Sequence, residues 1–135
     1  MNLEIIKIAS DTSNNKILKN YTHIVKKKNS ICGDEIEIRL NIKKNIIKDF
    51  AYQNRSCVFC EASASLLSEK SKNKDIFYVH EFLKFSDNLF NNERTKILPY
   101  WKNFKKIFNK KNSSRKECLL LPFRALTKLF EEIDA

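Results

Sequence analysis

An α+β fold, a small antiparallel sheet of about three strands with helices packed on one face, is predicted from three features of the sequence. Ile36, Ile38, Leu40 and Ile42 alternate with Glu37, Arg39, Asn41 and Lys43. That period of two is the pattern of a half-buried strand with one wet face. Lys44-Asn45 then offers a two-residue turn, and the run from Ile46 to Gln53 continues as a second strand. Strands joined by so short a turn pair antiparallel. Beyond Cys57 the pattern changes. Glu61-Ala62-Ser63-Ala64-Ser65-Leu66-Leu67-Ser68-Glu69 has no β-branched residue and sets small side chains on successive turns, as in a helix that packs close to a sheet.

The remaining elements are taken in chain order. Leu3, Ile6, Ile17 and Leu18 are the apolar positions of the opening stretch, interrupted by the polar run Ser10 to Asn15. They predict a short, weakly packed helix, with Ser10 or Asp11 as a cap, and then a loop. Tyr21-Thr22-His23-Ile24-Val25 is rich in β-formers and reads as the first strand, from which Lys26 to Ser30 lead into a turn at Gly33. In the Ile46–Gln53 strand, simple alternation puts Ile47, Asp49, Ala51 and Gln53 on one face and Ile46, Lys48, Phe50 and Tyr52 on the other. Asp75 can cap a helix running to about Asn91, with Ile76, Val79, Phe82, Leu83, Phe85 and Phe90 as its apolar residues. Asn91-Asn92-Glu93-Arg94 reads as a linker. A further helical stretch, about Trp101 to Asn109, buries Trp101, Phe104, Ile107 and Phe108. Lys110 to Ser114 reads as a solvated loop, with Ser114 able to cap the final helix. That helix starts near Glu117 or Cys118 and carries Pro122 in its first turns, where a missing N–H costs least. Leu119, Phe123, Leu126, Leu129, Phe130 and Ile133 form its apolar stripe.

At 135 residues the chain reads as a single domain, 1–135. That size buries about two-thirds of the unfolded surface and needs no disulfide to fold. The opening Met-Asn-Leu-Glu-Ile-Ile-Lys lacks a basic n-region and a small-residue cleavage site, and no apolar run approaches the ~18 residues of a membrane span. The expectation is a cytoplasmic protein with no membrane association. In a reducing compartment cysteines bind metal or do chemistry more often than they pair. The net charge of +10, from 26 Lys+Arg against 16 Asp+Glu, makes the surface basic. The basic residues form no recognisable nucleic-acid module, so nucleic-acid binding is not expected.

The chemistry-bearing residues fall in three segments. Cys32-Gly33-Asp34 contains the only glycine of the chain, a residue suited to positive φ, where it would let the side chains of Cys32 and Asp34 turn toward one point. Cys57 closes a strand and opens a helix, and Cys118 opens the final helix. A thiol at a helix N-terminus faces unpaired N–H groups and the positive end of the dipole, which favour its thiolate. If Cys32, Asp34, Cys57 and Cys118 converge, three thiolates and one carboxylate make a closed tetrahedral set suited to Zn²⁺. Spacing alone leaves buried, inert cysteines as the equal alternative. Cys57-x-x-Cys60 has no second C-x-x-C to complete a zinc knuckle and lacks the βαβ context of a thioredoxin motif.

Asn29-Ser30-Ile31-Cys32-Gly33-Asp34, then Cys57 followed by Ala62-Ser63-Ala64-Ser65, then Arg115-Lys116-Glu117-Cys118, resemble the three cysteine motifs of the iron–sulfur cluster scaffold family, the IscU/NifU-N/SufU group. The resemblance runs from about Leu3 to the last helix. Within the group the chain looks more like SufU. The 61 positions from Cys57 to Cys118 leave room for the longer helical insert of SufU-type members. The chaperone-docking motif of IscU types is absent, and Glu117 stands where they carry histidine.

The resemblance implies a SufU/IscU-like fold and a zinc site on Cys32, Asp34, Cys57 and Cys118. It implies a zinc-dependent sulfurtransferase in which Cys32 accepts persulfide sulfur from a SufS-type cysteine desulfurase, with downstream iron–sulfur assembly proteins as further partners. A scaffold that assembles a [2Fe–2S] cluster on the same residues is the alternative, since thiolates hold such clusters. A basic binding protein with a structural zinc is an alternative of another class. Two departures stand out: Ser56 replaces the glycine usual before the second cysteine, and Cys60 is extra. Cys60 is read as a buried small residue, with a substitute ligand or second sulfur carrier as the other possibility. Arg115 is read as a partner of Asp34 or of the transferred sulfur, or as a solvent-facing side chain. Glu117 is read as a surface carboxylate, and His23 and His80 as structural.

Overall fold

A computed structural model describes residues 3–31, 33–90 and 99–134 of the chain. Cys32 and the Asn91–Arg94 linker therefore lie outside the described residues. The alternation around Ile38 does build a strand. β1 (His23–Lys28), β2 (Glu35–Lys43) and β3 (Ile46–Arg55) form one antiparallel sheet in the order β1-β2-β3. Ile36, Ile38 and Leu40 of β2 are buried, while the intervening residues face outward. Lys44 and Asn45 both take positive φ, 53° and 64°, the backbone of a type I′ turn whose twist matches the flanking strands. Asn45 also accepts a bond from the Ile76 amide at 2.8 Å, tying the hairpin to a later helix. Lysine is a poor occupant of positive φ. Lys44→Asn is therefore expected to stabilise the chain by roughly 0.5–1 kcal/mol, read as a higher melting temperature; an unchanged or lower one would argue against this turn.

Two strand expectations need correction. β1 runs to Lys28 rather than ending at Val25, so the lysine run is strand, not connector. The cause is cross-strand charge: Lys26 faces Glu37 and Lys28 faces Glu35, each pair with N···O of 3.6 Å. In β3 the register shifts between Asn41 and Ile42: Asn41 pairs with Asp49 but Ile42 pairs with Ile47. The extra residue, Lys48, makes a bulge and flips the alternation. Ile47, Phe50 and Tyr52 consequently share the core, and the strict two-face split fails. The outer edge of β3 is closed by the N-terminal segment, where the Tyr52 amide donates to Asn14 O at 2.9 Å and the Lys16 amide donates to Tyr52 O at 3.1 Å.

Four α-helices are described: α1 (Leu3–Ala9), α2 (Val58–Ser71), α3 (Ile76–Lys84) and α4 (Lys116–Asp134). α1 buries Ile5 and Ala9 against α2, whereas Leu3 and Ile6, the expected apolar positions, are exposed. α2 is buried nearly all round, from Cys60 through Ser68, because its small residues admit α1, α4 and β3 together. Two of its buried serines bond across to neighbours, Ser63 donating to Leu119 O at 2.6 Å and Ser65 to Asp11 O at 2.8 Å, while the buried Ser71 hydroxyl finds no partner among the described residues. Asp75 caps α3, accepting from the Phe77 amide at 2.8 Å. α3 stops at Lys84, short of Asn91, and passes into a 3₁₀ turn over Ser86–Leu89.

The Trp101 stretch is a 3₁₀ segment, Pro99–Lys106. Lys110 to Ser114, read as a loop, falls within a second one, Lys110–Arg115, pinned where buried Asn112 donates to Ile107 O at 2.9 Å. α4 starts at Lys116 with Pro122 in its second turn, and its apolar stripe lies against β1, β2 and α2. The architecture is thus α+β, a three-stranded antiparallel sheet with helices packed on it. Among the described residues no helix is long and apolar enough to cross a membrane.

Candidate metal centre

Three chain segments that lie far apart in sequence end at one place. The β1–β2 connection is framed by Asn29: its amide donates to Asp34 O at 2.7 Å, its carbonyl accepts from the Gly33 amide at 2.8 Å, and its side chain accepts from the Ile31 amide at 2.9 Å. Gly33 has φ of +79°. A Cβ there would meet nothing within 4 Å. Glycine is thus required for its backbone angle, not for space, and it sets Asp34 at the entry to β2. Gly33→Ala is expected to leave the chain folded and cost about 1 kcal/mol from backbone strain. Chemical denaturation checks this; a loss of several kcal/mol would mean a steric role that the open surroundings do not support.

β3 delivers Cys57 to the N-cap of α2, in extended backbone (φ −73°, ψ 168°). The Cys57 amide donates to Asp34 Oδ2 at 3.4 Å, joining the first segment to the second. Cys118, in the first turn of α4, completes the group. One ligand atom from each of Asp34, Cys57 and Cys118 lies within 4.8 Å of the others. Cys118 is buried, and the other two are half-buried.

The donor set fits a zinc ion. Donors at 2.0–2.3 Å around a tetrahedral zinc sit roughly 3.3–3.8 Å from one another. The three side chains would close in by about 1.5 Å at most, and two thiols with a carboxylate are ligands this ion accepts. Cys32, the fourth residue of the expected set, lies outside the described residues, one position before Gly33 in the sequence.

The other candidates resolve differently. Cys60 is fully buried one turn into α2 and is not part of the three-residue group. Burial pushes its thiol up to about 12, with smaller upward contributions from Asp34 and Cys57 and an opposing hydrogen bond from Ser56. Arg115 is exposed, with its guanidinium 5.5 Å from the Phe59 ring centroid. Glu117 pairs with Arg124 at 3.3 Å on the surface, as a surface carboxylate should. His23 meets the Thr22 hydroxyl at 2.7 Å and His80 packs on Phe130 at 5.6 Å, both away from the group.

Sequence reasoning assigned no role to a polar network beside Cys57. Tyr52 OH donates to Glu61 at 3.4 Å, and Asn15 Nδ2 donates to both Glu61, at 3.1 Å, and Asn54, at 3.3 Å. Asn54 continues the inward alternation of Phe50 and Tyr52. A polar residue on an apolar strand face was the available signal, hidden until the bulge is known.

Burial also raises the Tyr52 phenol, and the Glu61 charge adds to it. Tyr52 and Cys60 therefore keep protons in the folded chain that the unfolded chain gives up near their ordinary values, 10.0 and 9.0. Their contribution to stability is complete below those values and is lost as pH rises above them. Melting of the metal-free protein should shift downward above about pH 9, and Tyr52→Phe should flatten the part above pH 10. Stability that holds or rises through this window would contradict the burial of these groups.

Comparison with known proteins agrees with this geometry. A sequence-family model described as NifU-like N terminal domain matches residues 4–88. The iron-sulfur cluster assembly scaffold protein IscU of Thermotoga maritima is 29% identical over 121 residues, covering 87% of this chain and 82% of that protein. The zinc-dependent sulfurtransferase SufU of Bacillus subtilis is 32% identical over 62 residues, 46% of this chain and 42% of that protein. Among solved structures, the N-terminal part of a nitrogen-fixing NifU-like protein from Brucella abortus superposes with a TM-score of 0.86 at 16% identity, covering 98% of this chain and 93% of that one. A putative iron-sulfur cluster assembly scaffold protein for the SUF system from Fervidobacterium islandicum gives 0.83 at 21% identity, covering 96% and 95%. These two likenesses concern the fold. With the match spanning residues 4–88, from the first helix to beyond the third, the chain belongs to the NifU-like N-terminal domain family.

Proposed function

We propose that the chain serves iron–sulfur cluster assembly, and that it does so as a zinc-dependent sulfur acceptor for a cysteine desulfurase of the SufS type. The observation that carries this reading is the gathering of Asp34, Cys57 and Cys118 from three separate segments within 4.8 Å. Membership of the family and the names of its IscU and SufU relatives support it. In this reading Cys32, Asp34, Cys57 and Cys118 hold the ion. Zinc, when bound, favours the thiolate form of its cysteine ligands. Asp34, the hard oxygen donor of the set, is its most weakly held member and leaves the site adjustable. Cys32 is the acceptor: its thiolate attacks the outer sulfur of the donor persulfide, the donor's sulfur–sulfur bond breaks, and the donor departs as a thiolate.

The test is a desulfurase assay with and without the protein, alongside zinc analysis. About one zinc per chain and faster desulfurase turnover are expected, and Cys32→Ala should abolish the acceleration. An unchanged rate with the wild-type protein, or full acceleration by Cys32→Ala, would contradict the reading. The second reading is a scaffold on which a [2Fe–2S] cluster is assembled on the same residues. The wider match, 87% of this chain, is to a relative named as a scaffold, which favours keeping it. Anaerobic reconstitution separates the two: a stable, transferable cluster favours the scaffold, and zinc that resists displacement by iron favours the transferase.

A further inference from the structure

Cys60 is the described cysteine that the three-residue group leaves out. Its setting differs from that of an isolated core thiol. β3 runs straight into Cys57, which stands at the N-cap of α2 with no side-chain cap bond, and Cys60 comes in the first turn of the same helix. Side chains three apart at a helix start are neighbours, with Cβ atoms about 5–6 Å apart. A disulfide needs Cβ atoms about 3.8 Å apart, so joining them draws the backbone at Cys57 in by about 1–2 Å. Cys57 is half-buried, and so open to a reactant on one side, whereas Cys60 is sealed from solvent. A strand leading into C-x-x-C at a helix N-terminus, with an accessible outer thiol and a buried inner one, is an arrangement suited to thiol–disulfide exchange. The expectation that this pair lacks a redox context rested on the absence of a βαβ motif. The strand-to-helix junction supplies the local part of that context.

We propose that Cys57 and Cys60 form a dithiol that reduces a persulfide and releases its outer sulfur as sulfide. The step rests on the reading above in one respect, that persulfide sulfur reaches this site; because Cys57 is also one of the residues proposed to hold zinc, it takes place on chains that do not carry the ion. Cys57 sulfur attacks the outer sulfur of a persulfide R–S–SH, forming Cys57–S–SH and releasing R–SH. Cys60 sulfur then attacks Cys57 Sγ, forming the Cys57–Cys60 disulfide and expelling the outer sulfur as H₂S. The two thiols are oxidised by two electrons, the persulfide sulfur is reduced by two, and their protons leave with the products. A dithiol reductant returns the pair to its starting state. Sulfide, the oxidation state that an iron–sulfur cluster incorporates, is then produced beside the residues proposed to hold metal.

The test mixes the full-length protein, freed of metal with a chelator, with glutathione persulfide, without oxygen or added reductant. It reads released sulfide, intact mass and the cysteine linkage in peptides. Wild type should release about one sulfide per chain, lose two hydrogens and yield a Cys57–Cys60 cross-linked peptide. Cys60→Ala, checked for folding by circular dichroism, should retain the added sulfur and release sulfide only at the protein-free level. If that variant does not fold, the wild-type linkage map decides alone. Equal sulfide release from Cys60→Ala overturns the proposal, as does a wild-type disulfide that maps to Cys57–Cys118. Wild type that gains a sulfur but releases no sulfide overturns this step and leaves sulfur acceptance standing. Wild type that takes up no sulfur counts against both.

Discussion

Cys118→Ala is expected to weaken zinc binding about a hundredfold while leaving the helices of the chain in place. Cys118 is buried in the first turn of α4, with its sulfur within reach of Asp34 and Cys57. Binding free energies of protein zinc sites run to about 10–16 kcal/mol. Shared among four ligands, that is about 3 kcal/mol each, on the order of a hundredfold in affinity for one lost thiolate. Competition with a zinc chelator reads this directly, and the desulfurase response should vanish with the metal. The fold should survive, because the sheet and the α2–α4 packing hold a large apolar core without the ion. Wild-type zinc affinity in Cys118→Ala would mean that the gathered side chains are not ligands.

The largest effect on stability is expected from Trp101→Ala. Trp101 is 2% exposed and stacks on Phe82 with ring centroids 3.9 Å apart and planes within 3°. Tyr78 lies 5.5 Å away and Tyr100 meets it edge-on at 5.0 Å. Phe104, also fully buried, extends the cluster to Phe123 on α4. This aromatic seam fastens the Pro99–Lys106 segment to α3 and α4. A 3₁₀ segment has poorer hydrogen-bond geometry than an α-helix and leans more on packing. Truncating a buried tryptophan costs about 3–5 kcal/mol, against a total of roughly 5–15 for a domain of ordinary stability. For a chain of this size the melting temperature should fall by about 10–20 °C. Trp101→Phe, which keeps the stack, should lose much less. A fall of only a few degrees in Trp101→Ala would show that the segment is held by something other than this seam.

How much of this was legible in the sequence depended on whether a feature was local. The period-two pattern of β2, the Lys44-Asn45 turn, the Asp75 cap and the stripe of α4 are each set within a few residues, and each is found. β1 was cut short because Lys26 to Lys28 reads as loop until Glu35 and Glu37 face it from the neighbouring strand. The face assignment of β3 failed at one residue, since a bulge at Lys48 is a property of a pair of strands and not of either alone. Lys110 to Ser114 looked solvated because its buried residue, Asn112, is polar and bonds inward.

The site divides the same way. Gly33 could be read as a positive-φ residue, and Cys57 and Cys118 as helix-start residues, from their own surroundings. Their meeting could not be read so, because it needs β2, α2 and α4 to begin at one end of the packed core. Family resemblance supplied what spacing lacked, and the placement of Asp34, Cys57 and Cys118 supplies it independently. The same placement leaves Cys60 out of the three-residue group.

X-ray absorption at the zinc edge, on protein purified without added metal, bears most directly on a metal held by these thiols. The expected result is about one zinc per chain, with about three sulfur neighbours near 2.3 Å and one oxygen neighbour near 2.0 Å. A chain without zinc, or zinc surrounded only by nitrogen and oxygen, would contradict it.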